Sequence, residues 1–479
     1  MESVYLIAPK PIGTVSPDIY GVFAEHIGGV IYDGIFCGND AENIRGFRTK
    51  IIEKLRAIHT PLIRWPGGCF AETYDWRDGV GPLENRPVRL NWWTPFDGKT
   101  ESNRVGTDEF LDFCALVGAE PYLAANITSA SPRDIRDWID YVNSPEGSTT
   151  LAKARAANGH PAPYQVKLWG VGNENWGGGG NMTPSGYACE YRRYAELMAN
   201  ASKGLELIGC GANASDFAWT RGVLEELSKK EVRMDGLAFH YYCGTAGGAV
   251  NFTDDDWRTL IARAGAMQDL IDRHWAAALS YGLENKAKLC IDEWGCWHQD
   301  NTDLLAPDHL FEQQSTMRDA VVTALTFNIF NNNCAKIRLC AVAQLVNNIH
   351  ALFLAHKDQC FCTPTYHVFD LYQTHMGAEA VETAAPAGVS ASASVKDGHM
   401  TVTFANLTPD RDFEIKLESL GFAIGHTAEI GLLGDGDLHA HNTFDAPEAV
   451  SVRRESTEHF DGTLTLRRGS IAAVRFAVQ

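Results

Sequence analysis

Eight short apolar runs alternate with longer amphipathic segments between about residue 18 and about residue 375. The apolar runs, which we interpret as strands, are residues 19–23, 62–65, 121–125, 166–171, 205–210, 236–240, 288–292 and 337–341. The amphipathic segments, which have helical periodicity, include residues 44–58, 107–117, 132–142, 185–201, 256–281 and 312–330. Eight strand-then-helix units in succession predict an α/β fold, a (β/α)8 TIM barrel.

The sequence pattern changes after about residue 376, where strict apolar–polar alternation replaces the helical segments. The alternating runs are residues 400–405, 413–417, 428–432, 462–466 and 472–478. They predict a C-terminal antiparallel β-sandwich that is jelly-roll-like. Because 479 residues are too many for one ordinary core, we expect a barrel domain over residues 16–375 and a sandwich domain over residues 376–479. We expect a strand from residues 1–15 to join the sandwich.

The charge balance excludes several classes of function. The formal net charge is −19, and no basic cluster with interleaved aromatic residues occurs, so we expect no nucleic-acid and no membrane partner. No apolar run approaches the roughly 20 residues that a membrane-spanning helix needs. No glycine-rich turn links a strand to a helix as dinucleotide binding requires, and we expect no cofactor.

The cysteines indicate a reducing compartment. Twelve cysteines are scattered along the chain, several of them in apolar segments, which is typical of buried free thiols. Cys360 and Cys362 are one residue apart and lack the paired spacing of a zinc site, so we predict no metal. The N-terminus has no secretory signal pattern, and we expect a cytoplasmic protein.

Two glutamates follow apolar strands at places where catalytic residues are expected. Glu174 ends the segment Leu-Trp-Gly-Val-Gly-Asn-Glu, and Glu293 ends Leu-Cys-Ile-Asp-Glu. They fall on the fourth and seventh predicted strands, so both carboxylates would emerge on one rim of the barrel. A strand-end glutamate can also merely cap a strand or pair with an arginine. The coincidence of barrel position and aromatic neighbours favours catalysis.

Paired carboxylates suit the cleavage of a glycosidic bond. One group protonates the leaving oxygen, and the other meets the positive charge that develops at the anomeric carbon. If the carboxyl groups stand about 5–5.5 Å apart, the second attacks directly and the configuration is retained.

Five motifs together resemble one enzyme family. Gly172-Asn173-Glu174 and Asp292-Glu293-Trp294 resemble the catalytic motifs of glycoside hydrolase clan A. Gly-Val-Phe-Ala-Glu-His-Ile-Gly-Gly (21–29), Ile-Arg-Trp-Pro-Gly-Gly (63–68) and Ala-Gln-Leu-Val-Asn (343–347) narrow the resemblance to family 51, the α-L-arabinofuranosidases. The resemblance covers essentially the whole chain, and it implies a homo-oligomer, often a hexamer.

The resemblance implies roles for the residues around the two glutamates. Glu174 would be the general acid and then the base, and Glu293 the nucleophile. Asn173 would hydrogen-bond the sugar 2-hydroxyl. Arg64 would keep the nucleophile ionised, although it could instead form a purely structural ion pair. Tyr242 would hydrogen-bond near the nucleophile or the ring oxygen.

Five further residues complete the expected site. Glu25 and Gln344 would hold sugar hydroxyls, although Glu25 could instead be an ordinary buried carboxylate. Trp93 could form a platform for the sugar or belong to the core. His240 is interpreted as a supporting buried histidine rather than a proton donor. Cys69 stands where the family commonly has Asn, and since a thiol is a poorer hydrogen-bond partner, one sugar contact would be weaker or made by backbone.

The resemblance implies a retaining, exo-acting α-L-arabinofuranosidase that acts on arabinan, arabinoxylan or arabino-oligosaccharides. A clan A endo-glycanase or a β-xylosidase would use the same two glutamates. A non-catalytic carbohydrate-binding protein on the same barrel is a third alternative, which the presence of both glutamates disfavours.

Overall fold

The structure is a computed structural model that describes residues 1–283, 286–299 and 309–478. Eight parallel strands form a closed barrel in which the eighth strand pairs with the first. In chain order they are Gly21–Phe23, Leu62–Trp65, Glu120–Ala125, Leu168–Val171, Glu206–Gly209, Gly236–Tyr242, Lys288–Gly295 and Ile337–Val342. Each corresponds to one predicted apolar run, so the predicted barrel is confirmed.

The α-helices of the described residues cover the outside of the barrel or connect its parts. They are Thr49–Ala57, Thr94–Asp97, Thr107–Val117, Pro132–Asn143, Thr150–Ala157, Pro184–Ala199, Phe217–Ser228, Asp254–Gly265, Met267–Ser280, Met317–Asn332 and Pro364–Tyr372. Side-chain caps mark several helix starts. Ser131 accepts a hydrogen bond from the backbone N–H of Asp134, whose carboxylate accepts one from the backbone of Ser131, a reciprocal capping box.

Three helix predictions were wrong in their bounds. The segment predicted at 44–58 begins its helix only at Thr49, because residues 43–48 form a short hairpin. The segment predicted at 256–281 is two helices that meet at Ala266. The segment predicted at 312–330 begins its helix at Met317, where Thr316 is the capping residue.

The C-terminal part forms a nine-stranded sheet that includes the N-terminal strand. In order across the sheet the strands are Arg453–Thr457, Ile424–Leu433, Ile471–Val478, His399–Asn406, Val389–Lys396, Glu379–Ala384, Glu2–Thr14, Phe413–Leu420 and Thr463–Leu466. All neighbouring pairs are antiparallel except Glu2–Thr14 with Phe413–Leu420, which is parallel. The strands share one buried apolar core, and the predicted C-terminal β-domain is confirmed.

The helix Met317–Asn332 lies between the barrel and this sheet. Nearly all of its residues are buried. Phe327 and Phe330 pack against Trp294 of the seventh barrel strand, and Asn328 and Asn332 bond to the sheet strand Val389–Lys396. Asn331 accepts a hydrogen bond from Tyr20 in the barrel over 2.8 Å. Its amide nitrogen donates to Ser392 in the sheet over 3.1 Å.

Side chains fill the inside of the barrel in layers, and the apolar and polar layers are separate. One apolar layer inside it consists of Leu62, Tyr122, Leu168, Ile208, Ala238, Cys290 and Leu339. Alternate residues of a strand face the same side, so two positions further along come Arg64, His240 and Asp292. A charged layer therefore lies directly above an apolar one, at the carboxyl ends of the strands.

Among the residues that the structure describes, no helix is both long and apolar enough to cross a lipid bilayer.

Candidate active site

Glu293 lies on the seventh barrel strand and is buried at the carboxyl rim. Its Oε1 atom accepts a hydrogen bond from Arg64 over 2.7 Å, and its Oε2 atom accepts one from the hydroxyl of Tyr242, also over 2.7 Å. A guanidinium and a phenol therefore stabilise the negative charge of this carboxylate. These contacts bring together three residues that the sequence assigned to the site.

Glu174 follows the fourth strand and adopts φ 45°, a left-handed backbone conformation that residues other than glycine seldom adopt. Gly172, two residues before it, has φ 87°, and a Cβ there would stand 2.1 Å from Asn175 Oδ1. This turn directs the Glu174 carboxylate toward the seventh strand. One carboxylate oxygen of Glu174 and one of Glu293 lie within 4.8 Å of each other.

His240 on the sixth strand contacts both glutamates. Its Nδ1 atom lies 2.8 Å from Glu174 Oε1 and 3.3 Å from Glu293 Oε2, while its Nε2 atom lies 3.2 Å from Asp292 Oδ1. Burial disfavours the charged ring, but the three carboxylates outweigh burial and raise the pKa of His240 to about 10. The ring therefore holds a positive charge between the two catalytic candidates near neutral pH.

Asp292 supports these residues from the layer below, and the sequence analysis did not assign it. Burial raises its pKa, but Arg64 and His240 outweigh burial and lower the pKa to about 2. Tyr122 donates a hydrogen bond to it over 2.7 Å. Asp292 directly precedes Glu293 on the seventh strand. The register shifts there, since Ala238 pairs with Cys290 but His240 pairs with Glu293, and both carboxylates contact Arg64 and His240.

Asn173 stands between Arg64 and the pocket. Its Oδ1 atom accepts a hydrogen bond from Arg64 over 2.6 Å. Its Nδ2 atom is buried and has no hydrogen-bond partner. A buried donor without a partner costs about 1–3 kcal/mol, and a hydroxyl of a bound ligand would satisfy it.

Gly68 forms the floor of a small hollow that several of these residues share. A Cβ at this position would lie 2.8 Å from Glu293 Oε1, and 3.4 Å from both Asn173 Nδ2 and Glu25 Oε2. The absence of a side chain therefore leaves room at the point where the three polar side chains converge.

Glu25 is held by donors from three other segments. The backbone N–H of Phe70 and the indole N–H of Trp93 donate to its Oε1 atom over 3.0 and 3.1 Å. Gln344 donates to its Oε2 atom over 3.2 Å. Burial and the nearby Glu293 raise the pKa of Glu25 to about 7. The carboxyl group can therefore exchange a proton near neutral pH.

Cys69 is half-buried beside the acid/base candidate. Its Sγ atom lies 3.9 Å from Glu174 Oε2. Burial, together with Glu25 and Glu174, raises the pKa of the thiol. The residue therefore stays a neutral, weak donor next to the carboxylate.

Aromatic side chains form one side of the rim. The ring of Trp93 lies 5.8 Å from that of Phe311, which lies 5.1 Å from Trp297, which in turn lies 5.4 Å from Tyr242. Phe311 and Trp297 belong to a long segment after the seventh strand and carry no sequence signal of their own. Trp294, which directly follows Glu293, is buried in the core and does not belong to this rim.

Glu72 orders the turn that carries Glu174, and the sequence analysis did not identify it. This carboxylate is fully buried and accepts hydrogen bonds from Asn175 Nδ2 and from the backbone N–H groups of Ile127, Thr128 and Asn173. Burial raises its pKa. Only the folded arrangement of the second, third and fourth strand ends reveals this role.

Comparison with known proteins shows the family. The model of the α-L-arabinofuranosidase 1 domain matches residues 54–256, and that of the α-L-arabinofuranosidase C-terminal domain matches residues 292–470. An intracellular exo-α-L-arabinofuranosidase of Bacteroides ovatus is 35% identical over 459 residues, which are 91% of this chain and 87% of that protein.

Solved structures agree with the sequence matches. The family 51 arabinofuranosidase of Xanthomonas axonopodis pv. citri superposes with a TM-score of 0.92 at 34% identity and covers 99% of both chains. The α-L-arabinofuranosidase of Thermotoga maritima, solved as an arabinose complex, superposes with a TM-score of 0.84 at 27% identity over 100% of both chains. The chain belongs to glycoside hydrolase family 51, the α-L-arabinofuranosidases.

Proposed function

We propose that this protein removes terminal α-L-arabinofuranosyl groups from the non-reducing ends of arabinan, arabinoxylan or arabino-oligosaccharides, with net retention of configuration. The observation that carries the proposal is the approach of carboxylate oxygens of Glu174 and Glu293 to within 4.8 Å. This spacing suits direct attack by one of them, for which carboxyl groups stand about 5–5.5 Å apart.

In the first step, a carboxylate oxygen of Glu293 attacks the anomeric carbon as the glycosidic C–O bond breaks. Glu174 gives its proton to the departing oxygen, and a glycosyl ester of Glu293 forms. In the second step, a water oxygen attacks the same carbon while Glu174 takes its proton, and the ester bond breaks. Arg64 and Tyr242 hold Glu293 in place for both displacements.

The hollow above Gly68 is proposed as the place of the arabinofuranosyl ring. Asn173 Nδ2 supplies a donor without a protein partner, which suits the sugar 2-hydroxyl. Glu25 and Gln344 reach the hollow from another side and are proposed to hold further hydroxyls. The aromatic rim that includes Trp93 suits the apolar C–H face of a sugar. The convergence of Asn173, Glu25 and Gln344 around one point suits a single terminal sugar, and hence exo action.

The test combines a substrate panel with variants of the two glutamates. The enzyme is expected to release 4-nitrophenol from the α-L-arabinofuranoside, and proton NMR is expected to show the product with the anomeric configuration of the substrate. Glu293→Ala is expected to be inactive, and azide is expected to rescue Glu174→Ala on this activated substrate. Full activity of either alanine variant would refute the assignment.

The alternatives make different predictions. An endo-glycanase would release internal fragments from arabinoxylan or cellulose, and a β-xylosidase would prefer the nitrophenyl β-xyloside. A non-catalytic protein would bind arabino-oligosaccharide without releasing arabinose. Product analysis of arabinan, arabinoxylan and cellulose digests separates these cases.

We further propose a cytoplasmic protein that forms a homo-oligomer, as family 51 resemblance implies. All twelve cysteines are free thiols, which supports a reducing compartment. The Bacteroides ovatus relative is named as intracellular. We also propose the division into a barrel over residues 16–375 and a β-domain over residues 376–479 that residues 1–15 complete. The strand Glu2–Thr14, which pairs with Glu379–Ala384, supports this division. Light scattering on the eluting protein tests the oligomer.

A further inference from the structure

Three metal-ligating side chains converge beside the active-site rim, although the spacing of the cysteines along the sequence predicted no metal. They are Asp33 in the loop after the first barrel strand, His309 in the segment after the seventh, and His356 in a hairpin after the eighth. Asp33 Oδ2 lies 2.7 Å from His356 Nδ1 and 3.3 Å from His309 Nε2. One ligand atom from each residue lies within 4.8 Å of the others.

These separations suit a tetrahedral ion. Zinc bonds of about 2.0–2.1 Å to nitrogen and oxygen at the tetrahedral angle place two ligand atoms about 3.3 Å apart. The separation between Asp33 Oδ2 and His309 Nε2 has this value, and the one to His356 needs to widen by about 0.6 Å. The side chains of Asp33 and His356 are 28% and 30% exposed, so water can reach the site and complete the coordination.

Groups behind the three ligands orient them. His309 Nδ1 is hydrogen-bonded to Glu312 Oε2, which leaves Nε2 as the atom that faces Asp33. A histidine that binds a metal through one nitrogen usually donates its other N–H to a carboxylate in this manner. The backbone N–H of Lys357 donates to Asp33 Oδ1 over 2.8 Å, which directs Oδ2 toward the two rings.

Two other groups of potential ligands in the described residues are less suitable because an arginine already stands among them. In the trio Cys296, His298 and Asp319, Arg318 lies 3.3 Å from His298 Nδ1. In the catalytic trio, which consists of Glu174, His240 and Glu293, Arg64 lies 2.7 Å from Glu293.

The arginine near Asp33 stands on the other side of the carboxylate. Arg48 is 3.8 Å from Asp33 Oδ1, and it donates to the backbone carbonyls of Asp33 and Lys357. Asp33 Oδ2, which faces His309 and His356, therefore makes its contacts with the two histidines and not with Arg48.

We propose that Asp33, His309 and His356 bind one divalent transition-metal ion of the zinc class, with water as the remaining ligand. Two imidazoles and one carboxylate are ligands that suit such an ion. Binding requires neutral rings, so any proton on His309 Nε2 or His356 Nδ1 leaves as the ion enters. The ion joins three loops of the barrel rim.

The ion would hold part of the aromatic rim in place. Phe311 follows His309 by two residues and contacts Trp93 and Trp297. The same segment lies tightly against the first loop, since a Cβ at Gly28 would stand 2.7 Å from the backbone of Leu310. The role we assign to the ion is structural, and it would act by fixing Phe311 over the pocket.

The test is calorimetric titration of Zn²⁺ into the full-length, untagged protein after dialysis against a chelator. One ion per chain is expected, and the thermal midpoint is expected to rise with the zinc concentration. Metal affinity falls about 10–100-fold when a carboxylate that is hydrogen-bonded to a ligating histidine is lost. Glu312→Gln is therefore expected to bind Zn²⁺ about 10–100-fold more weakly than the parent protein. His356→Gln is expected to abolish the binding.

Two controls locate the ion. His459→Gln removes an exposed histidine of the β-domain and is expected to leave binding unchanged. Glu174→Gln removes a ligand of the catalytic trio and is also expected to leave it unchanged. If Glu174→Gln rather than His356→Gln abolished binding, the ion would sit between the catalytic residues and the proposal would be wrong.

A spectroscopic measurement on the unaltered protein tests the site without relying on variants that could fail to fold. Co²⁺ in the site is expected to give the intense visible absorption of a four-coordinate ion, and Zn²⁺ is expected to displace it. No stoichiometric binding of either ion would show that the cluster is a hydrogen-bonded network of charges and nothing more.

Discussion

Arg64 Nη2 donates a hydrogen bond to Asn173 Oδ1 over 2.6 Å, and this bond leaves the Asn173 amide nitrogen buried without a partner. The same guanidinium binds Glu293 through Nη1. One arginine thus orients both the proposed nucleophile and a proposed sugar donor. The cost of the unsatisfied donor in the free enzyme is recovered when a sugar hydroxyl binds.

Asn173→Ala is expected to lower kcat more than it weakens substrate binding, because the amide donor is proposed to strengthen its contact in the transition state. Removal of one such donor typically lowers kcat by about 10²–10³-fold. Steady-state kinetics on the nitrophenyl arabinofuranoside measures the effect. With the 2-deoxy substrate the parent and the variant should be nearly equal. An undiminished difference on that substrate would show that Asn173 acts elsewhere.

Gly68→Ala is expected to reduce kcat/KM by about 100-fold or more, since its methyl group would enter the hollow 2.8 Å from Glu293 Oε1 and displace the sugar. Gly265→Ala is the matched control, because a Cβ there meets nothing within 4 Å, and it should retain full activity. Kinetics and thermal unfolding of both variants separate a blocked pocket from a damaged fold. An active Gly68→Ala enzyme would place the sugar elsewhere.

The raised pKa of Glu25 predicts a pH-dependent stability. Burial and Glu293 move this pKa from an ordinary 4.5 to about 7. Between these values the folded protein binds more protons at this site than the unfolded chain, so the Glu25 contribution falls as pH rises from 4.5 to 7. Glu25→Gln removes this pH-dependent contribution to the free energy of unfolding. Its thermal midpoint relative to the parent should therefore rise across this range and level off above it. A constant difference would contradict the shifted pKa.

Arg64→Met is expected to destabilise the fold by about 3–5 kcal/mol, because it removes one of the two cations that balance the buried Glu293 and Asp292 and leaves only His240 beside them. Urea unfolding measures the loss. Arg193→Met, which breaks only an exposed pair with Glu190, should change stability little. If the two variants were equally stable, Arg64 would not balance the buried charges.

Periodicity alone predicted the barrel. Each strand overlaps a predicted apolar run, and Glu174 and Glu293 could be placed on one rim because strand order fixes where strand ends meet. Helix bounds were less predictable. Nothing in the amphipathic pattern of residues 256–281 marks the break at Ala266, since the buried apolar residues keep a helical spacing on both sides of it.

The sequence did not predict groups of residues that come together only through tertiary contacts. Glu72, after the second strand, accepts hydrogen bonds from donors at the ends of the third and fourth strands, and Phe311 reaches the rim from a long segment without periodicity. His309 and His356 are 47 residues apart, and no spacing pattern links them in the sequence. Such convergence depends on loop paths, which no local pattern specifies.

The helix Met317–Asn332, covered by barrel strands and by the sheet and linked to both through Asn331, has a consequence for dissection of the protein. A barrel expressed without residues 376–479 would leave the side chains of Asn328, Asn331 and Asn332 on this helix without their hydrogen-bond partners in the sheet. It would also leave the strand Glu2–Thr14 without both of its neighbours. The catalytic half is therefore not a separable module, and the two halves should melt in a single transition.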